Sequence, residues 1–178
     1  PLAGQWQQSL DVLKADTSIT EVILSGGDPL SLNDEKLNKA ISDLNKIPHL
    51  KRLRIHTRLP VVFPERITDS LLDCLQKTHL KVVMVIHAKS ANEIDEEAAQ
   101  VLYALRQADV QLLNQTVLLK GINDSVEALG DLSERLNEVD VQPYYLHLLD
   151  KVAGAHHFDV EEEIAVNLIE ALRKQLPG

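Results

Sequence analysis

Polar side chains stand where the strand-like runs of this chain end, and these are the residues whose types could do chemistry. Ser25-Gly26-Gly27-Asp28-Pro29 follows directly on the apolar run Val22-Ile23-Leu24. Paired glycines let a backbone approach a ligand closely and turn its N–H and C=O groups outward, and Asp28 adds a carboxylate at the same place. Gly-Gly-Asp also serves simply to turn a chain, so the motif alone is weak. His56, Thr57 and Arg58 follow a second run, His87 follows a third, Asn114-Gln115 lies inside a fourth, and Asp150 closes a fifth. At the carboxyl ends of parallel strands such residues converge on one mouth and can line a single pocket.

Each of these residues also has a structural account. Strand-end polar groups often cap helices or satisfy turns, and for His56 and Arg58 taken singly that account weighs slightly more. A buried amide left without partners costs about 1–3 kcal/mol, so Asn114 and Gln115 require partners from a neighbouring strand or from a ligand. A carboxylate at Asp150 invites a cation, and Lys151 is the nearest one. His156-His157 is an adjacent pair that cannot place both rings on one metal in an ordinary element. No Ser/His/Asp or metal-ligand spacing stands out.

The elements that must position these groups follow from periodicity. Apolar runs at 22–24, 53–55, 82–86, 112–119 and 144–149 predict strands. Between them Leu37, Ile41 and Leu44, then Ala98, Leu102 and Leu105, then Leu129, Leu132 and Leu136 repeat at helical spacing, and Ile164, Leu168 and Leu172 close the series. Asn33-Asp34 is a start signal, and Asp124-x-x-Glu127 resembles a capping box. Strands recur roughly every 30 residues, the length of a βα unit. The alternation implies an α/β fold with a parallel sheet and helices outside. About five to six βα units are present, whereas a closed eight-unit barrel takes about 250 residues. A helix over 5–14, with Trp6, Leu10 and Leu13 on one face, precedes any strand, and Pro177-Gly178 is a turn signal with nothing after it. The expectation is one partial-barrel domain over 1–178, a piece of something larger.

The bulk composition excludes several classes. The 178 residues are 44% hydrophobic, enough for one domain with a core. A formal net charge of −9 with scattered Lys and Arg argues against a nucleic-acid partner. The densest basic group, Lys51-Arg52 with Arg54, brackets a strand. Cys74 is the one cysteine, so neither a disulfide framework nor a thiolate metal site can be built. Set among Leu71, Leu72 and Leu75, it reads as a small core residue. No apolar run reaches membrane-spanning length and no signal-peptide pattern is visible, so a cytoplasmic protein with no membrane partner is expected.

Five motifs, taken in order, resemble one family. They are Ser25-Gly26-Gly27-Asp28-Pro29-Leu30, Arg54-Ile55-His56-Thr57-Arg58-Leu59-Pro60, Ala91-Asn92-Glu93-Ile94, Leu113-Asn114-Gln115-Thr116-Val117-Leu118-Leu119 and Pro143-Tyr144-Tyr145-Leu146-His147. Together they resemble the lysine 2,3-aminomutase family of radical S-adenosylmethionine enzymes, across essentially the whole chain. Leu149-Asp150-Lys151-Val152-Ala153-Gly154-Ala155-His156-His157-Phe158 looks most like the bacterial branch that makes β-lysine for modifying elongation factor P. The free-lysine branch is the near alternative.

The resemblance implies a partial (β/α) TIM-like barrel, a radical SAM core around a [4Fe-4S] cluster. The cluster cleaves S-adenosyl-L-methionine to a 5′-deoxyadenosyl radical, which takes a hydrogen from L-lysine held on pyridoxal 5′-phosphate, and the amino group migrates from C2 to C3. By the same resemblance Ser25, Gly26, Gly27 and Asp28 receive the methionine amino group. His87 and Gln115 contact the nucleoside, with Thr57 and Arg58 as further candidates, and Asp150 holds the lysine side-chain ammonium.

Departures from the family pattern limit what this chain is expected to do alone. The Cys-x-x-x-Cys-x-x-Cys loop and the arginine-rich run would lie before Pro1, and the lysine for pyridoxal phosphate after Gly178. Ser90 stands where relatives often carry a second histidine. An inactive piece of an isomerase is the expectation, with a non-catalytic S-adenosylmethionine-binding domain, or a barrel enzyme using Asp28 and Asp150 as acid and base, as the other classes. Its exposed sheet edge predicts instability or self-association into a homo-oligomer.

Overall fold

Strands that each pass into a helix before returning can pair only in parallel, and all five do. The computed structural model describes residues 3–151 and 154–176. Strands β1 (Glu21–Leu24), β2 (Arg52–His56), β3 (Lys81–Ile86), β4 (Gln111–Val117) and β5 (Gln142–His147) form one sheet in the order of the chain. Every neighbouring pair is parallel. A strand order that never reverses winds always in one direction, as in a barrel, and keeps the helices on one side.

Those helices are α1 (Ala3–Ala15), α2 (Asp34–Asn45), α3 (Leu59–Val62), α4 (Asp69–Lys77), α5 (Glu96–Gln107), α6 (Val126–Glu138) and α7 (Glu162–Gln175). The main core lies between them and the sheet. Leu53, Ile55, Met84, Ile86 and Leu112 from the strands meet Leu37, Ile41, Leu44, Leu71, Leu75, Leu102 and Leu105 from the helices. Leu10 of α1 is buried there, with Trp6 and Leu13 packed beside it. Cys74 also packs against this core from α4, and burial pushes its thiol up. On the other face of the sheet Val83, Val85 and Leu113 form a separate small cluster. The two faces follow from the two-residue alternation of a strand.

Starts and stops follow local chemistry. Asn33 accepts from the Lys36 amide at 3.0 Å and caps α2, as expected. Before α6 the expected box is not the cap. Ser125, extended at φ −131°, accepts from the Ala128 amide, whereas the Asp124 carboxylate closes a turn on the Gly121 amide at 2.8 Å. Strand β4 ends two residues short of the predicted run because Asn123 takes over the backbone there. Its amide donates to the Val117 carbonyl and its oxygen accepts from the Leu119 amide. Strand β5 begins two residues before its predicted run and ends two before that run does. Between Asn114 and Gln115 the pairing with β5 slips by one, so that Pro143 faces Asn114 and Tyr145 faces Gln115, with Tyr144 left over as a bulge. Among the described residues no helix is long and apolar enough to cross a membrane. The Pro177-Gly178 turn signal, with Val152 and Ala153 of the 149–158 segment, lies outside the described residues.

Candidate functional site

The loop after β1 is open on one side and clamped on the other. Ser25, Gly26 and Gly27 are exposed. Gly26 and Gly27 sit at φ +79° and +62°, where a Cβ is strained, and a Cβ built on either would meet nothing within 4 Å. Asp28 turns back into the protein. Its Oδ1 accepts from the Leu30 amide at 3.0 Å and from the Thr57 hydroxyl at 2.6 Å, and its Oδ2 accepts from the Arg58 amide at 2.8 Å. Thr57 is 1% exposed, and its oxygen also accepts from the Leu59 amide. The Arg66 guanidinium holds the next turn, donating to the Leu30 and Leu32 carbonyls and to Asp34.

The concave face of the sheet sets polar side chains around the small Val83, Val85 and Leu113 cluster. Leu53 and Ile55 point to the helices, so Arg52, Arg54, His56 and then Arg58 point the other way. Glu21 of β1 accepts from the Arg54 Nε at 2.7 Å and from the Arg52 Nε at 3.2 Å. Arg54 also donates to the Tyr144 hydroxyl at 3.0 Å, a bond from β2 to β5. Because Arg54 must span the intervening strands to make it, the sheet is strongly curled. Tyr145 lies against Tyr144 and against His147, with ring centroids 4.0 and 5.2 Å apart.

Nearer the mouth the His56 and His87 rings meet edge to face, 6.2 Å between centroids. His87 is half-buried and its buried Nε2 has no hydrogen-bond partner in the structure. Burial and then the Arg54 charge hold the His56 imidazole below its ordinary value, against a hydrogen bond with Gln115 that favours the proton. Burial, then the neighbouring His56 and Arg58, do the same to His87. Two neutral imidazoles and the Gln115 amide thus offer donors and acceptors without charge.

Other residues fall elsewhere. Asn114 points to the helix side, where it accepts from the Ala88 amide at 2.8 Å and donates to the Ala88 carbonyl and the Thr116 hydroxyl. Its partners are protein, not ligand. Asp150 is exposed just beyond β5 and makes no ion pair with Lys151 among the described residues. The Ala91-Asn92-Glu93-Ile94 motif is a turn: Ser90 accepts from the Asn92 amide, and Glu93 accepts from the Lys89 and Ser90 amides. Among the described residues no group of three His, Cys, Asp or Glu could hold a metal. An apolar groove of about 420 Å³ between β5, α6 and α7 lies on the helix side, lined by Leu129, Leu132, Ile169 and Leu172. The residues the sequence reading missed are Glu21 and Tyr144 with Arg54. The signal for Arg54 was present, since Arg52, Arg54 and His56 alternate with Leu53 and Ile55 and mark a strand that is polar on its inner face.

No protein-family model matches the chain. Curated relatives do. The chain is 49% identical over 173 residues to a protein of Haemophilus influenzae named L-lysine 2,3-aminomutase, covering 97% of this chain and 51% of that protein. A protein of the same name in Escherichia coli is 44% identical over 97% of this chain and 51% of its own length, and one in Clostridium subterminale 38% over 96% and 41%. The chain spans about half the length of the curated relatives it matches. Among solved structures it is similar to Streptococcus suis SuiB bound to S-adenosylmethionine, at TM-score 0.66 and 11% identity, covering 96% of this chain and 41% of that one. A radical SAM methyltransferase from Sphaerobacter thermophilus gives TM-score 0.59 and 17% identity over 88% and 49%. The chain is thus homologous, over nearly all of its own length, to about half of proteins named L-lysine 2,3-aminomutase, and shares its parallel α/β fold with those solved structures.

Proposed function

We propose that this chain is the S-adenosylmethionine-binding part of a lysine 2,3-aminomutase that converts L-lysine to β-lysine. The observation that carries the reading is the 49% identity over 97% of the chain. The geometry supports it. The exposed backbone of Ser25, Gly26 and Gly27 receives the methionine end at the mouth of β1, beside Asp28. The unpartnered Nε2 of His87 and the amide of Gln115 take the nucleoside, and exposed Arg58 lies on the same rim. Buried Thr57 acts through Asp28. Asp150, exposed past the end of β5, pairs with the lysine side-chain ammonium.

Two further groups belong to the proposal but not to these residues. A [4Fe-4S] cluster supplies the electron that cleaves S-adenosylmethionine, yet Cys74 is on the helix side of the sheet and no other cysteine exists here. Pyridoxal phosphate carries the migrating amino group, yet the one lysine within the strands, Lys81, opens β3 and pairs with Asp109. One cysteine does not fit the cluster, and on the family resemblance we place the ligands of both groups in the part of the relatives that this chain does not span. A reducing cytoplasm suits such a protein. We assign the product to modification of elongation factor P on the resemblance of the 149–158 segment, with free β-lysine as the alternative product.

The test uses the full protein, reconstituted anaerobically with iron and sulfide and given pyridoxal phosphate and L-lysine. Formation of 5′-deoxyadenosine and β-lysine is expected. Failure to cleave S-adenosylmethionine would overturn the reading, and β-lysine that never reaches elongation factor P in cell extract would overturn the branch.

A further inference from the structure

The carboxylate of Asp28 is engaged mainly from outside its own loop. Three donors converge on it: the Leu30 amide, the Thr57 hydroxyl and the Arg58 amide, at 3.0, 2.6 and 2.8 Å. A carboxylate oxygen accepts about two hydrogen bonds, so Oδ1 is saturated by Leu30 and Thr57. Two of the three donors come from the segment after β2, 29 and 30 residues away in the chain. The same segment reaches back a second time, through Arg66 to the Leu30 and Leu32 carbonyls. The loop after β1 is therefore pinned from one side by residues 57–66. Gly26 and Gly27, in a conformation that few sequences hold unaided, stand free on the other.

We propose that Asp28 is a latch: held by Thr57 and Arg58, its carboxylate fixes the Ser25–Gly27 backbone at the mouth, so that Thr57 and Asp28 set ligand affinity through the conformation of that backbone. This rests on the reading of the mouth as an S-adenosylmethionine site, and it divides the labour within that site. Asp28 is then a positioning residue, and Thr57, which is buried and touches no ligand, matters for binding because it holds Asp28. The latch also joins two walls of the mouth, since the Arg58 amide is one of its donors and His87 lies within the field of the Arg58 charge.

A double-mutant cycle on the full protein separates latch from ligand. Thr57→Val removes one donor without touching the mouth, and Asp28→Asn replaces the acceptor facing Arg58. S-adenosylmethionine is titrated into each, and the amides of Leu30 and Arg58 are followed by hydrogen exchange. Thr57→Val is expected to weaken binding about tenfold and also to lower the melting temperature, because the Leu59 amide loses its acceptor, with Thr57→Ser restoring both. Asp28→Asn is expected to weaken it about as much, and the double variant no further than Asp28→Asn alone. If Asp28→Asn weakens binding while Thr57→Val leaves it within about twofold, the carboxylate touches the ligand and the latch is overturned. If the wild-type protein binds no S-adenosylmethionine, the functional reading fails instead. The latch is then judged on exchange: about tenfold faster exchange at Leu30 and Arg58 in Asp28→Asn supports it, and unchanged exchange overturns it.

Discussion

Arg54 and Tyr144, 90 residues apart in sequence, meet across the concave face of the sheet, with 3.0 Å between guanidinium and hydroxyl. Glu21 holds the same guanidinium from the first strand, so one hydrogen-bonded chain links both edges of the sheet. The Tyr144 hydroxyl bonds Tyr145 as well, and its proton is held more loosely than usual by that bond and by Arg54. Tyr144→Phe is expected to lower the midpoint of urea unfolding, and a cycle with Arg54→Met to show that the two losses are coupled rather than additive. Additive losses would mean that the bond does not hold the curl of the sheet.

Acid should weaken the fold in a particular window. His56 and His87 are both held below the ordinary imidazole value of 6.5, chiefly by burial. In the unfolded chain both protonate near that value, while in the folded protein they do so only at lower pH. As pH falls through the window the unfolded state binds more protons, so stability is lost. The melting temperature is expected to fall between about pH 7.5 and about pH 5.5, and His56→Gln with His87→Gln to flatten that slope. Asp43, held at about 2 first by Lys39, titrates well below this range and cannot mimic the effect. An unaltered slope in the double variant would discard the assignment.

Asn114 satisfies both the amide and the carbonyl of Ala88 from a position 2% exposed. Asn114→Ala leaves the buried Ala88 amide without its partner, while the Ala88 carbonyl keeps the Thr116 hydroxyl, and is expected to cost about 1–3 kcal/mol. Denaturant melts measure it. A cost under about 0.5 kcal/mol would show that the turn after β3 relaxes freely.

Gly26 and Gly27 separate conformation from space. Each has a positive φ with nothing near a Cβ, so Gly26→Ala and Gly27→Ala should each cost about 1–2 kcal/mol through backbone strain alone. Asparagine at the same positions should cost less, since it tolerates the left-handed region. Equal costs for alanine and asparagine would point to contact rather than conformation.

Much of this was legible in the sequence because strands and helices announce themselves by period. The five strands, the helices at Leu37, Ala98, Leu129 and Ile164, and the Asn33 cap all came from spacing and local chemistry. The strand ends at β4 and β5 did not, because Asn123, not the apolar run, decides where β4 stops. The α6 cap was misread because Asp124 had a nearer use, closing the turn at Gly121. The inward side of Asp28 could not be read either. Its partners Thr57 and Arg58 arrive from another βα unit, and no local pattern reports a contact that long.

The bulge at Tyr144 decides the parity of everything after it on β5. Before the slip, Pro143 pairs with Asn114; after it, Tyr145 pairs with Gln115 and His147 with Val117. Were the same residues to pair without the bulge, Tyr144 would stand opposite Gln115 and the strand would keep its composition and its length. It would nonetheless send Tyr145 and His147 toward the helices and bring Leu146 into the trough. In any homologous chain, the frame at this one position therefore tells whether the far wall of the mouth is aromatic and polar or plain aliphatic, before a single side chain is compared.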